Sequence, residues 1–278
     1  MKNKLVIYKI ILIVFLLNTP IVITSVIAQD CNLLETQNRR TQVVSMTKPY
    51  SFVVHILMTR NYKHQSNKNM QGTAFFIHPR VLLTAGHNVH KYKKWGITTS
   101  EVKEMRLRFG ATDNSTNLYE TKIKTIQDEN IYTNRNFNGK DVGKDYGLII
   151  LPDDAAYQKI GGLFKLTAFD SSLLTGRKIS IAGYPGNKED STQWQDSTSN
   201  YSTYPDYFKY DFATWTGISG APVWYEENGT HNVFAIHTNG PPKYNTVSCS
   251  TATLLTKSIY DDIVNFCLKK GIDINKQD

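Results

Sequence analysis

The sequence predicts an all-β protein with two similar halves and a C-terminal helix. Short apolar runs alternate with turn residues through most of the chain, and Tyr (16) and Phe (12), which favour strands, are plentiful. The runs fall into two sets of about six, a spacing typical of sandwiches and barrels. A connection from about Pro152 to Gly176 separates the two sets.

The N-terminus predicts a secretory signal peptide at residues 1–28. Lysines precede an unbroken apolar run, Ile10–Leu17, and Ala28 stands before a suitable cleavage point. The alternative is an uncleaved membrane anchor, which Asn18 and Pro20 disfavour because they interrupt the apolar stretch. We therefore expect a secreted, monomeric protein, extracellular or periplasmic, that leaves the membrane once the signal is removed.

The rest of the chain divides into three parts. Residues 29–48 are polar and predict an N-terminal arm or a short propeptide, residues 49–160 the first β-rich half, and residues 161–278 the second half with the helix. The predicted strands are Phe52–Met58, Thr73–Ile77, Val81–Thr84, Met105–Phe109, Thr121–Ile126 and Gly147–Leu151, then Lys178–Ala182, Phe208–Phe212, Pro222–Tyr225, Val233–Ile236 and Thr251–Leu255.

The last segment has the period of a helix. Ser258 and Asp261 form a variant of the capping box, and Gly271 can end the helix. Ile259, Ile263, Val264 and Cys267 share one face.

Charge and cysteine content exclude several classes of function. The net charge is +8, and removal of three lysines with the signal leaves 8 − 3 = +5. No nucleic-acid motif accompanies this excess, so we expect no nucleic-acid partner, and the lysines at 91, 93 and 94 indicate an exposed loop. Cys31, Cys249 and Cys267 allow one disulfide of unassigned pairing. His87 and His90 have no supporting metal-ligand pattern, so we expect neither a metal nor a cofactor.

The first candidate for chemistry is His87. It follows the apolar run Val81–Leu83 through Thr84-Ala85-Gly86. A histidine at the end of a buried strand is held rigidly, and its imidazole can take and return a proton near neutral pH. A lone histidine in this position is more often structural.

The second candidate is Asp145, directly before the apolar strand Gly147–Leu151. A partly buried carboxylate needs a partner, and a histidine N–H would satisfy it while fixing the tautomer. A solvated acid at a strand start is the alternative. Asp141 is a rival that Gly143 and Lys144 separate from the apolar run.

The third candidate is Ser219, within Thr216-Gly217-Ile218-Ser219-Gly220-Ala221. Small residues let the backbone fold tightly, so that the N–H groups of Gly217 and Ser219 could form an oxyanion hole. The string does not fit Gly-x-Ser-x-Gly, and the chain lacks the strand–helix alternation of an α/β-hydrolase esterase.

Together the three motifs, in the order His, Asp, Ser, resemble the bacterial glutamyl endopeptidases of the trypsin/chymotrypsin-like serine protease superfamily. Gly183-Tyr184-Pro185-Gly186 and Ile236-His237 add to this resemblance. It implies two six-stranded antiparallel barrels, protein or peptide substrates, and a His87–Asp145–Ser219 triad that works through an acyl-enzyme.

The resemblance also implies a preference for Glu or Asp before the scissile bond. The family's pocket residues map to Thr214 and His237, both of which can donate hydrogen bonds to a carboxylate. Ala213 stands where trypsin-like members carry aspartate, which argues against cleavage after Lys or Arg.

One departure keeps a rival hypothesis open. Ile218 stands where relatives have Asp or Asn, so the loop must be held without the carboxylate that many of them pair with a freed amine. The rival is a catalytically impaired binding or toxin module on the same fold.

Overall fold

The computed structural model describes residues 39–94, 97–113, 115–123, 129–239 and 249–276. The predicted signal peptide and Cys31 lie outside these ranges. Within them, two curled β-sheets follow one another along the chain, with a helix at the C-terminal end.

The first sheet is built around three long strands. In the order β5-β6-β2-β3-β4-β9-β8, with β7 paired to β6, it is antiparallel throughout. Its strands are β2 (Val53–Tyr62), β3 (Gln65–His78), β4 (Val81–Thr84), β5 (Tyr92–Lys94), β6 (Ile97–Phe109), β7 (Tyr119–Ile123), β8 (Ile131–Thr133) and β9 (Gly147–Ile150).

The second sheet has the order β1-β12-β11-β15-β16-β17-β14-β13, and β10 pairs in parallel with β16. Its strands are β1 (Thr41–Gln42), β10 (Lys165–Leu166), β11 (Ile179–Gly183), β12 (Trp194–Thr198), β13 (Tyr201–Thr203), β14 (Tyr207–Tyr210), β15 (Pro222–Glu227), β16 (Thr230–Asn239) and β17 (Ser250–Leu254). The other pairings are antiparallel, which contradicts the α/β-hydrolase alternative.

The all-β fold with a C-terminal helix is confirmed, while the count of six strands in each half is only approximate. The described residues hold eight strands in one sheet and nine in the other. Apart from β12, the extra strands are short segments with a single partner, such as β1, β5 and β10, which have two or three residues and too little apolar sequence to predict. The lysine-rich stretch expected to be a loop contains β5, which pairs with β6.

The helices are α1 (Gly86–Val89), α2 (Ala155–Ile160) and α3 (Lys257–Lys269). The predicted capping box of α3 is wrong. The cap is Thr256, whose hydroxyl accepts from the Ile259 N–H, because the helix starts two residues earlier than a cap at Ser258 would allow. No helix in the described ranges is long and apolar enough to cross a membrane.

Apolar side chains fill both sheets. One cluster joins Phe75, Phe76 and Leu82 of the first sheet to Ile259 and Ile263 of α3. A second cluster lies within the second sheet and contains Phe208, Phe212, Val223 and Phe234. Burial on this scale stabilises the two sheets, at roughly 1.5–3 kcal/mol for each large apolar side chain.

Candidate active site

The structure brings His87 and Asp145 together. β4 and β9 are paired so that Thr84 lies opposite Gly147, and His87 and Asp145 stand just beyond these positions. Oδ2 of Asp145 lies 2.7 Å from Nδ1 of His87, and Oδ1 accepts from the His87 backbone N–H, also at 2.7 Å. An ionised carboxylate only accepts hydrogen bonds, so Nδ1 carries the proton and Nε2 is left as the basic nitrogen.

Burial makes this arrangement rigid. Asp145 is only 4% exposed, and Thr253 donates to its backbone carbonyl at 3.2 Å. A Cβ atom at position 86 would lie 2.9 Å from the Tyr146 carbonyl oxygen, so only glycine lets the chain turn from β4 towards Asp145. Asp141, the rival acid, instead forms an ion pair with Lys144.

Ser219 belongs to the loop between β14 and β15 and lies against the first sheet. Its carbonyl oxygen accepts from the Thr73 N–H and from Nδ2 of Asn88, both at 2.8 Å. Asn88 directly follows His87, so this bond connects the Ser219 backbone to the segment that carries His87. Among the described residues the Ser219 hydroxyl donates to the Thr238 carbonyl at 3.3 Å and makes no hydrogen bond with His87.

The carbonyl groups next to the serine accept hydrogen bonds. Thr216 accepts from the Gly186 N–H at 2.7 Å, Gly217 from Thr73 Oγ1 at 2.8 Å, and Ile218 from the Ala221 N–H at 2.9 Å. The amides of Gly217 and Ser219, in contrast, donate to none of the described residues. Two N–H groups at the serine are therefore available to an incoming oxygen.

Two glycines make this loop possible. Gly217 and Gly220 have φ values of +104° and +93°, a region that side chains rarely adopt. A Cβ atom would lie 2.4 Å from the Tyr184 carbonyl oxygen at position 217 and 2.0 Å from that of Thr73 at position 220. Larger residues at either position would displace the loop from the first sheet.

Ile218 anchors the loop by apolar burial. It is 3% exposed and packs in the cluster of the second sheet that contains Phe212 and Val223. The loop is therefore held without the carboxylate that relatives have at this position. The buried Ile218 side chain fixes the backbone between Gly217 and Ser219 instead.

Thr214 and His237 each contact one member of a cross-strand pair, Ser250 and Tyr210 respectively. His237 is on β16 and is 1% exposed, and its Nδ1 lies 2.5 Å from the Tyr210 hydroxyl. Thr214 Oγ1 lies 2.7 Å from Ser250 Oγ, and Ser250 is opposite Tyr210 in the pairing of β14 with β17. Burial, with a smaller effect of His87, lowers the pKa of His237 to about 3, so the imidazole is neutral.

Sequence reasoning missed the residues that support this site. Thr73 and Asn88 contact the serine loop, Tyr210 contacts His237, and Ser250 contacts Thr214. Thr73 begins the predicted strand Thr73–Ile77, and Asn88 directly follows His87. Nothing in the spacing of the other two indicated a role.

The described residues contain no cluster of three or more His, Cys, Asp or Glu side chains that could hold a metal ion. His90 instead contacts the rings of Tyr92 and Phe137 and lies 3.3 Å from the Thr133 hydroxyl. Cys249 is in a disulfide, whereas Cys267 is a free buried thiol on α3.

Comparison with known proteins defines the class. The family model described as trypsin matches residues 45–239, so the chain belongs to the trypsin family and is a serine endopeptidase that acts on proteins or peptides. A glutamyl endopeptidase of Bacillus licheniformis is 28% identical over 254 residues, which cover 89% of this chain and 70% of the relative. One from Staphylococcus epidermidis is 29% identical over 163 residues, covering 55% and 53% of the two chains.

These relatives place the chain in the glutamyl endopeptidase branch of the family. Among solved structures, a Glu endopeptidase in complex with MPD has a TM-score of 0.62 at 20% identity, covering 81% of this chain and 94% of that one. A scabies mite inactivated protease paralogue has a TM-score of 0.59 at 13% identity, covering 82% and 99%. At these identities the likeness establishes the fold, which an inactivated protein shares.

Proposed function

We propose that this chain cleaves peptide bonds with Ser219 as nucleophile, His87 as general base and then acid, and Asp145 as the group that orients His87. The observation that carries the proposal is the double contact of Asp145 with His87, through the ring and through the backbone N–H. It fixes the tautomer whose Nε2 can accept the serine proton.

The reaction follows from the positions of the protons on His87 and Ser219. Substrate turns the Ser219 hydroxyl from the Thr238 carbonyl towards Nε2 of His87, a bond that often forms only in the substrate complex. The serine oxygen attacks the peptide carbonyl while Nε2 takes its proton, and the amides of Gly217 and Ser219 donate to the oxyanion. His87 then protonates the departing amine, and water releases the acyl-enzyme by the same steps. Loss of one oxyanion donor costs about 100–1000-fold in rate.

A serine-reactive fluorophosphonate probe separates this proposal from the impaired binding module. We expect wild type to be labelled and Ser219→Ala not to be. Ser172→Ala, which changes an exposed serine elsewhere, is the matched control and should label like wild type. Absence of labelling in all three proteins, with no peptide hydrolysis, would favour the binding module.

We also propose that the enzyme cleaves mainly after Glu, with Asp next. Thr214 and His237 are the two groups that would meet the acidic side chain. Ser250 donates to the Phe212 carbonyl at 2.9 Å, so its oxygen accepts from Thr214. If Ser250 turned to donate to Thr214, the threonine hydroxyl would be free to donate to a carboxylate. A neutral histidine adds a second donor through Nε2–H.

A peptide-library digest tests this preference. Cleavage after Glu should dominate in wild type, and His237→Ala should lose the preference while still reacting with the fluorophosphonate probe. Cleavage mainly after Leu or Lys would overturn the specificity and leave the triad proposal standing.

Export is the remaining part of the proposal. A signal peptide at residues 1–28 predicts that the mature chain begins at Gln29 or beyond and lies outside the cytoplasm. We expect the mature chain to be a monomer. N-terminal sequencing of the exported protein, with sedimentation, measures both. Recovery of the intact chain in the membrane fraction would support the uncleaved anchor instead.

A further inference from the structure

A cavity of about 540 Å³ lies in the first sheet beside His87. The tip of the β2–β3 hairpin, at Lys63 and His64, forms one side of it, and Tyr92 and Thr99 form another. The Lys63 N–H donates to the Thr99 carbonyl at 3.1 Å, which fixes the hairpin against β6. The walls of the cavity therefore belong to the first sheet and its connections. Thr214 and His237 do not line it.

A buried cation gives this cavity its charge. Arg60 is 2% exposed, and its guanidinium donates to the carbonyls of His87, Asn88 and His90 at 3.0, 3.1 and 2.9 Å. It also lies 3.3 Å from the Ser100 hydroxyl. These partners are all neutral, and no carboxylate in the described part of the chain pairs with it. Because a buried charge in a medium of low dielectric acts over a longer range than a surface charge, its field extends into the cavity.

The rim adds one ammonium group and one imidazole that can touch a ligand. Lys63 and His64 are exposed, and neither makes an ion pair with a described residue. None of the described residues that line the cavity is acidic. Tyr62 and Met70, whose hydroxyl and sulfur lie 3.9 Å apart, supply an apolar wall. Cationic groups above an apolar wall match a carboxylate on an aliphatic stem.

The position of His87 indicates which part of a substrate reaches the cavity. His87 lines the cavity and is the group that protonates the departing amine, so the residues after the scissile bond lie along it. The proposed pocket for the residue before the bond belongs to the second sheet. On the basis of the proposed function, we infer that this cavity is a subsite for an acidic side chain at the first or second position after the scissile bond.

Matched peptides test the inference. Each pair shares the residue that the library digest identifies as preferred before the bond, and differs only by Glu against Gln at the first or second position after it. We expect kcat/KM to be about three- to tenfold higher for the Glu peptide at low salt, with the ratio falling as salt is added. In Lys63→Gln/His64→Gln the ratio should fall towards one.

Lys159→Gln is the control, since it removes one lysine charge from an exposed position on α2, and it should keep the wild-type ratio. Equal rates for the two peptides in wild type would overturn the inference, as would a ratio that the double variant leaves unchanged. Hydrolysis of neither peptide would contradict the proposed protease function itself, so the two failures are distinguishable.

Discussion

At the scale of single residues, the contact between Tyr210 and His237 sets the polarity of the candidate pocket. Burial raises the pKa of Tyr210 well above its usual value, so the hydroxyl keeps its proton. If Nδ1 of the neutral imidazole donated, the tyrosine hydrogen would have no acceptor among the described residues. The tyrosine therefore donates to Nδ1, and the imidazole proton is on Nε2, where it can serve a carboxylate.

We expect Tyr210→Phe to reduce the preference for acidic substrates. Without the hydroxyl the imidazole can adopt either tautomer, and the one with a bare Nε2 repels a carboxylate. A lost hydrogen bond of about 0.5–1.5 kcal/mol corresponds to a two- to tenfold fall in the ratio of kcat/KM for Glu over Gln before the bond. Tyr201→Phe, which removes a hydroxyl that donates to the Arg177 carbonyl, should leave that ratio unchanged. A ratio unaffected by Tyr210→Phe would refute the tautomer argument.

At the scale of elements, Thr73 on β3 couples the first sheet to the serine loop of the second. Its N–H, its hydroxyl and its carbonyl contact Ser219, Gly217 and Thr84, respectively. The residue thus fixes the backbone of the serine loop against the first sheet.

Thr73→Val tests this coupling, since valine has the same shape and lacks the hydroxyl. We expect kcat to fall about tenfold with little change in KM, because the oxyanion donors act mainly in the transition state. Thr59→Val changes an exposed part of β2, where the hydroxyl contacts Asn69, and should have no effect. A rise in KM at constant kcat would assign Thr73 to substrate binding instead.

The anchoring of the loop by Ile218 makes a separate prediction about stability. Ile218→Val should cost about 0.5–1.5 kcal/mol of unfolding free energy and keep activity. Ile218→Asp would bury a carboxylate without a partner and should cost several kcal/mol, with loss of active sites. Urea denaturation and active-site titration measure the two effects. An active and stable Ile218→Asp variant would mean that an amine reaches this position after all.

At the scale of the whole molecule, the sequence predicted most accurately the strands that are marked by a continuous apolar run. The run before His87 and the one after Asp145 are wholly apolar, and both became the buried strands β4 and β9. β12, with the sequence Trp-Gln-Asp-Ser-Thr, was missed because its pairing with β1 and β11 stabilises it more than its own composition does.

The same distinction explains the site. Local sequence motifs identify His87, Asp145 and Ser219, so each residue could be proposed separately from its neighbours in the chain. The contacts between Thr73 and Gly217 or between Tyr210 and His237 join positions 144 and 27 residues apart, which no local pattern records. The anchoring role of Ile218 likewise depends on how the side chains of the second sheet pack around it, which the local sequence does not show.

Two buried histidines make the stability of the whole fold depend on pH. Burial lowers the pKa of His55 to about 4 and that of His237 to about 3, whereas both take up a proton near pH 6.5 once unfolded. The unfolded chain therefore binds more protons below about pH 6.5, so stability falls as the pH drops from there towards 4. The contribution approaches about 1.4 kcal/mol per pH unit for each histidine. Urea denaturation of Ser219→Ala, which cannot digest itself, measures the slope. His55→Gln should remove about half of this histidine contribution, and a slope that stays as steep would show that other groups cause it.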